Sequence, residues 1–245
     1  MGTTNTLPPE LGEFVADKLI DGVFSESQAG KEATVYIVYK ERLGRDELFA
    51  AKVYRDLDHR SFRRDGVYRE GRIVLDERMT RAIQNKTALG RNLAFGLWAG
   101  EEAKVLRRMY SEGVEVPELY AATGGALLME YFGDEDGPAP LLQDIRLTRS
   151  EAEAAFAAVM DNAEVMLRAD LVHADLSAYN ILYWEGRPIV IDVPQAVDAR
   201  LNKHAEVLFR RDVQNVCTYF RRQGLKPDAD HLACDLWLRY ETARL

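Results

Sequence analysis

Short runs rich in β-branched and aromatic residues fill the first third of the chain, near 21–25, 33–39 and 47–54, and predict strands. The period then changes. Over residues 97–113, Leu97, Trp98, Val105, Leu106 and Met109 return at near-helical spacing, Glu101, Glu102, Lys104, Arg107 and Arg108 fill the gaps, and Gly113 supplies a stop. Strands are expected again within 118–131. The acidic, proline-bearing stretch 133–140 then breaks the pattern. Beyond it, helices are expected at about 149–168, where an alanine-rich stripe precedes Val165, Met166 and Leu167, and near 204–222 and 229–243. Between the first and second of these helices lies a hairpin that ends in the apolar run 188–191. Residues 1–20 read as a loose Thr- and Pro-containing tip that ends in a short helix. Strands first and helices afterwards imply an α+β fold of one unit, with a boundary at about 130–140.

Composition adds bounds rather than identity. With 245 residues, 47% hydrophobic and 29% charged, the chain is long enough to bury a sizeable core. A net charge of −8 argues against broad nucleic-acid coating. Cys217 and Cys234 are the only cysteines and form no ligand cluster with the four scattered histidines, so reduced thiols in a cytoplasmic protein are expected and zinc has no cage. No run has the length of a membrane span or the form of a signal peptide.

The chemistry concentrates at residues 173–180, HADLSAYN, followed by the strand 188–191 and Asp192. An acid, an amide and a second acid at this spacing suit phosphoryl transfer from a metal nucleotide. Asp175 is placed to accept or orient the proton of an attacking hydroxyl, Asn180 to take a metal ion, and Asp192 to hold the metal that bridges the phosphates. His173 is expected to brace the loop. A nucleotide-holding half is then expected upstream, and Lys52, one charge set in the apolar run 48–54, is the candidate phosphate ligand. Its orienting carboxylate should come from the 97–113 helix. Glu101 and Glu102 point about 100° apart there; Glu102, four residues after Trp98 and three before Val105, is the better placed.

Residues 25–36 hold Gly30-Lys31 but fail the Walker A pattern at Ser25 and Glu32. They read as a strand-turn-strand whose backbone N–H groups and Ser25 and Ser27 hydroxyls cover phosphates.

These residues resemble the RIO family of atypical serine/threonine protein kinases, in the group without an N-terminal winged-helix domain. The matches run in family order: GKEATVY at 30–36, AKVY at 51–54, SFRRDGVYREGR at 61–72, GLWAGEE at 96–102, LLMEYFG at 127–133, LVHADLSAYNILY at 171–183 and IVIDVPQAVD at 189–198. The resemblance implies a protein-kinase-like two-lobed fold, with a β-rich N-lobe to about 132 and a shortened, mainly helical C-lobe from about 141. It also implies ATP with Mg²⁺, or Mn²⁺ in its place, and transfer of the γ-phosphoryl group to Ser/Thr hydroxyls or to the protein itself. Lys52, Glu102, Asp175, Asn180 and Asp192 fall on the family's catalytic positions. Met129 falls on the gatekeeper, Glu130 and Phe132 on the hinge that meets adenine, and Gly30, Lys31 and Val35 on the phosphate-covering turn and its outgoing strand. The family also implies that Asp192 can accept a phosphoryl group.

The chain departs from the pattern at Pro194, where relatives carry a small hydroxyl residue. Ala174 stands in place of the Arg that ordinarily clamps an activation-loop phosphate, and only about fifty residues follow Asp192, with no APE motif. Residues 58–91 carry nine Lys or Arg against five Asp or Glu, a formal +4, and suit an anion such as RNA or a ribosomal particle as well as a solvated helix. Two other functions compete: a nucleotide-switched ATPase that assists small-subunit ribosome assembly, and a small-molecule kinase of the aminoglycoside or choline kinase type.

Overall fold

The computed structural model describes residues 7–30, 33–55 and 88–245, with the side chains of all of these except Gln28 and residues 88–98. Lys31, most of the basic segment 58–91 and the side chains of Leu97 and Trp98 lie outside this set. Five antiparallel strands form one sheet in the order β1-β2-β3-β5-β4: β1 (Gly22–Ala29), β2 (Ala33–Arg42), β3 (Arg45–Tyr54), β4 (Leu119–Ala122) and β5 (Ala126–Glu130). The β2–β3 register runs without a shift from Ala33↔Tyr54 to Arg42↔Arg45. Leu43 and Gly44 close it with φ of 53° and 77°, the two positive values of a hairpin turn that matches strand twist. β3 is thereby central, and its period of two sends Phe49, Ala51 and Val53 to one face of the sheet and Ala50, Lys52 and Tyr54 to the other.

The first face is covered by the N-terminal segment. Pro9–Leu11 form a single 3₁₀ turn and Gly12–Ala16 a short helix, α1. Leu11, Phe14 and Ile20 pack on Val38, Phe49, Ala51, Val53, Ala126 and Leu128. The second face receives α2 (Ala88–Ser111), whose small Ala99 and Ala103 let its backbone approach Tyr54 and Leu127. This helix begins nine residues before the expected 97. Its inward stripe is Ala99, Glu102, Ala103, Leu106 and Met109, all buried, with Val105 only partly so.

Below the sheet lie α3 (Arg149–Arg168), α4 (Ala205–Arg222) and α5 (Ala229–Glu241). Thr148 and Glu151 form a reciprocal capping box at the start of α3, and the Asp228 carboxylate accepts from His231 N–H at the start of α5. Two small ladders complete the lobe: β6 (Leu171–Val172) with β9 (Val197–Asp198), and β7 (Ile181–Trp184) with β8 (Arg187–Val190). Leu106 and Met109 of α2, and Val114 and Val116 after it, belong to this lower core with α3 and α4. One helix therefore joins both cores. No helix among the described residues is long and apolar enough to cross a membrane.

The loop between β6 and β7 is held from behind. Asp212, on α4 and 2% exposed, accepts from the N–H groups of Ala174 at 2.7 Å and Leu176 at 3.0 Å. Asn215 donates to Leu176 O at 3.2 Å and Arg211 to Ala174 O. Burial pushes the Asp212 carboxyl up to about 7, against the lowering effect of the two N–H groups.

Two stability measurements follow from this packing. Phe14→Ala should lower unfolding free energy by about 3–5 kcal/mol in a urea titration, since it empties the centre of the outer-face cluster; a loss near zero would detach α1 from the fold. For Asp212, the folded-state pKa stands above its unfolded value. The contribution of the protonated form is therefore complete below pH 4 and disappears as pH rises through 7, at about 1.4 kcal/mol per pH unit. The stability of wild type relative to Asp212→Asn should fall between about pH 4 and pH 7 and level off above that, and a constant difference would show that Asp212 folds already ionised.

Candidate active site

β3 delivers Lys52 to the inner face of the sheet, where its side chain is 12% exposed. The Nζ lies 2.7 Å from Glu102 Oε1 of α2 and 2.7 Å from Asp192 Oδ1, beyond the end of β8. Tyr54, two residues along the same strand face, donates its hydroxyl to the other Glu102 oxygen. Burial by itself would lower the ammonium's pKa; the two carboxylates outweigh it, and the net shift is upward. Lys52 is thus held charged through neutral pH. Glu101 points elsewhere and pairs with Lys104 at 2.7 Å on the exposed side of the helix. The 100° between adjacent helical positions separates the two glutamates as the stripe argument requires.

The loop after β6 supplies the opposite wall. Asp175 is exposed, while Ala174 and Leu176 on either side of it are buried. Ala174 sits at φ 65°, so the loop turns sharply between its two bonds to α4. Asn180 donates Nδ2 to the Asp175 carbonyl at 2.8 Å and to its carboxylate at 3.2 Å. That orientation leaves the Asn180 amide oxygen on the side away from Asp175. β7 and β8 pair from Ile181↔Val190 to Trp184↔Arg187, and Ile191 N–H reaches Asn180 O at 2.9 Å. The pairing brings Asn180 beside Asp192, whose φ of 61° turns its side chain out of the strand line towards Lys52. His173 is buried and its Nε2 lies 3.2 Å from Ile191 O. Burial lowers its pKa, which keeps the ring neutral in a bracing position between the two loops.

The remaining candidates spread along the sheet. Val35 lies directly opposite Lys52 on β2, and Met129 on β5 opposite Ala50, so both side chains share the lysine's face. Glu130 pairs with Phe49 and turns its carboxylate to Glu118 N–H at 3.3 Å, leaving only its backbone at the sheet's edge towards the lower lobe. Phe132 is buried against Ala139 and Ile189, and its carbonyl accepts from Ala139 N–H at 2.8 Å. Ser25 lies on β1, within the strand expected near 21–25, and the strand runs on through Ser27 to Ala29 instead of turning after 25. β1 has register shifts at Phe24 and Ser27 that bend it along β2, so strand pairing extends to Ala29↔Thr34. Gly30 donates its N–H to Ala33 O at 2.9 Å.

Three contributors escaped the sequence reading. Tyr54 looks like an apolar strand residue, and Asp212 and Arg211 look like the polar face of an amphipathic helix. Their one signal was an acid at a helical position flanked by the apolar stripe of Leu208, Phe209, Val213 and Val216. Among the described residues no three His, Cys, Asp or Glu side chains converge as a metal cage, and Cys217 and Cys234 are free.

Comparison with known proteins bears on the family and the fold. The RIO domain family matches residues 34–232. The chain is 35% identical over 221 residues to the RIO-type serine/threonine-protein kinase Rio1 of Haloferax volcanii, covering 90% of this chain and 70% of the relative. It is 32% identical over 207 residues to serine/threonine-protein kinase RIO1 of Caenorhabditis elegans, covering 84% of this chain and only 38% of that one. The crystal structure of the Rio2 kinase–ADP/Mg²⁺–phosphoaspartate complex from Chaetomium thermophilum superposes with a TM-score of 0.65 at 23% identity, over 91% of this chain and 64% of the other. That likeness carries the kinase-like two-lobed fold, a β-sheet lobe over a helical one. A family match across most of the chain, and a relative this similar along most of its length, place the protein in the RIO family of serine/threonine-protein kinases.

Proposed function

We propose that the chain binds ATP with Mg²⁺ between the sheet and the helical lobe, on either side of residues 130–140, and transfers the γ-phosphoryl group to Ser/Thr hydroxyls of a protein or of itself. The observation that carries this reading is the Lys52 ammonium, bonded at 2.7 Å to carboxylates from two separate elements. Such an ammonium is charged and fixed in position, as a phosphate clamp must be.

The donor set suits a hard divalent cation. Asn180 and Asp192 offer oxygens, and Asp192 is about half exposed. Mg²⁺ ordinarily takes one or two protein oxygens and completes its shell with phosphates and water, so the absence of a three-residue cage is expected. Lys52, Glu102, Asp175 and Asp192 together carry a formal −2, which favours a dication between them. When bound, the metal would neutralise phosphate charge and align the phosphoryl group for in-line attack. Lys52 then binds a phosphate oxygen, Glu102 keeps its ammonium in place, and Asp175, exposed and turned by Asn180, accepts or orients the proton of the incoming hydroxyl. Met129 and the backbone of Glu130 and Phe132 border the adenine side, and Ser25, Ser27, Gly30 and Val35 border the phosphates. The short segment 193–204 between Asp192 and α4, and buried Ala174 where a phosphate-clamping Arg would stand, describe a site that needs no activation-loop phosphate.

The test is transfer of labelled γ-phosphate to a protein, the chain itself included, in the presence of Mg²⁺. Phosphate released with no protein labelled would instead favour a nucleotide-switched ATPase. Asp175→Asn should retain Mg²⁺-ATP binding by calorimetry and lose about 10²–10⁴-fold in turnover. Asp192→Asn should bind Mg²⁺-ATP about tenfold or more weakly; equal affinity would remove its metal role. Lys52→Ala should lower kcat/KM by about 10²-fold or more, and unchanged turnover would reduce Lys52 to a structural partner of Glu102.

A further inference from the structure

Two cations join the same pair of segments, and only one of them lies in the cleft. Lys52 links Glu102 of α2 to Asp192. Six residues farther along each segment, Arg108 of α2 lies 3.7 Å from Asp198 and 3.8 Å from Asp170. These two acids belong to the β6–β9 ladder that brackets the catalytic and metal loops: Asp170 precedes β6 and Asp198 pairs with Leu171.

The acids are themselves firmly placed. Arg200 reaches Asp198 at 2.9 Å and Asp170 at 3.2 Å. The Tyr240 hydroxyl donates to Asp170 at 2.8 Å, and Ala199 N–H donates to the Asp170 carbonyl at 2.8 Å. Burial alone would raise the Asp198 carboxyl, but the Arg200 bonds and the nearby arginine charges hold it below its ordinary range. This is a five-membered network of two arginines, two aspartates and a tyrosine. Networks of this kind hold their geometry better than an isolated surface pair. Arg108 is its only member from α2, and the two sides of its planar fork face different acids, a task that a single ammonium performs poorly.

A nucleotide changes the balance between the two links. On the reading above, phosphates engage the Lys52 ammonium and the metal engages Asp192, so the direct Lys52–Asp192 contact weakens when it matters most. The Arg108 link is remote from the phosphates and persists. We propose that Arg108 is a positioning residue that keeps the 192–198 segment in register with α2 in the nucleotide complex, so that Asp192 meets the metal while Glu102 still orients Lys52. In this fold it takes the place of an activation-loop phosphate as the tie between that segment and the helix.

The inference rests on the proposed phosphotransferase reading, and the experiment separates the two. On the full chain, initial rates are measured against MgCl₂ at saturating ATP, and amide hydrogen exchange is measured with and without Mg²⁺-ADP, for wild type, Arg108→Ala, Arg108→Lys and the control Arg149→Ala, whose i,i+4 pair with Glu153 lies outside the network. Arg108→Ala should raise the Mg²⁺ concentration for half-maximal rate several-fold, leave KM for ATP at saturating Mg²⁺ within about twofold, and speed exchange over residues 191–199 but not in α3. Arg108→Lys should recover part of the shift, and Arg149→Ala should match wild type. Raising salt should move wild type towards Arg108→Ala and affect the variant less. An unchanged Mg²⁺ requirement with unchanged exchange at 191–199 would overturn the proposal, as would uniformly faster exchange throughout the chain with no Mg²⁺ shift. If wild type transfers no phosphate and hydrolyses no ATP, the functional reading falls, while exchange at 191–199 in the nucleotide-free variant still decides whether Arg108 holds that segment.

Discussion

A single ammonium group sets the constraint that the other parts of this molecule meet. Lys52 emerges from the middle strand of the sheet into a largely dry space, where a lone charge would cost several kcal/mol to desolvate. It is tolerated because Glu102 arrives from α2 and Asp192 from beyond β8, each at 2.7 Å. Both carboxylates must therefore be delivered to one point by elements fifty and 140 residues away in sequence. The small Ala99 and Ala103 on α2 serve this requirement, since larger side chains would lift the helix and Glu102 away from the sheet. Tyr54 serves it too by engaging the second oxygen of Glu102.

The way α2 is anchored fixes Glu102 relative to both the sheet and the lower core. Ala99 and Ala103 pack on the sheet, and Leu106 and Met109 lie in the lower core beside α3. Swinging such a helix outward would expose Leu106 and Met109, each of which contributes about 1.5–3 kcal/mol by its burial. The lower lobe holds its own loops with comparable firmness. Asp212 gathers the N–H groups around Asp175 from behind, so the exposed acid stands on a backbone fixed by a buried one. Ala174 and Asp192 both occupy left-handed backbone conformations, at φ of 65° and 61°. Such positions are unfavourable for residues other than glycine and persist where surrounding bonds determine them. Here they aim the two loops at a common point.

The segment that follows the site is held by structure within the chain. The segment from Asp192 to α4 is short and tied by the β6–β9 ladder, and Ala174 offers no receptor for a phosphate. The family to which the chain belongs has relatives named serine/threonine-protein kinases. The chain spans 70% of one relative and 38% of another.

Much of the architecture could be read in one dimension. Strand and helix periods located β2, β3, α3, α4 and α5 within a few residues, because each buries one face and the period follows from backbone geometry alone. The motif residues were legible for a similar reason: Asp175, Asn180 and Asp192 are close in sequence, and Lys52 stood out as a charge in an apolar run. Glu102 could be chosen over Glu101 by helical angle, and among the described side chains it lies on the buried stripe 99-102-103-106-109. Other features depend on contacts between distant segments, which carry no local period. The continuation of β1 through Ser27 to Ala29 involves bulges that appear only when β1 pairs with β2. Asp212 resembles any helical acid until α4 packs under the catalytic loop, and Arg108 resembles any solvated arginine until β6 and β9 bring Asp170 and Asp198 to its side. Residue type and spacing thus defined which groups can carry charge and chemistry; packing of remote elements determined which of those charges meet, because Coulomb energy depends on distance in space and not along the chain.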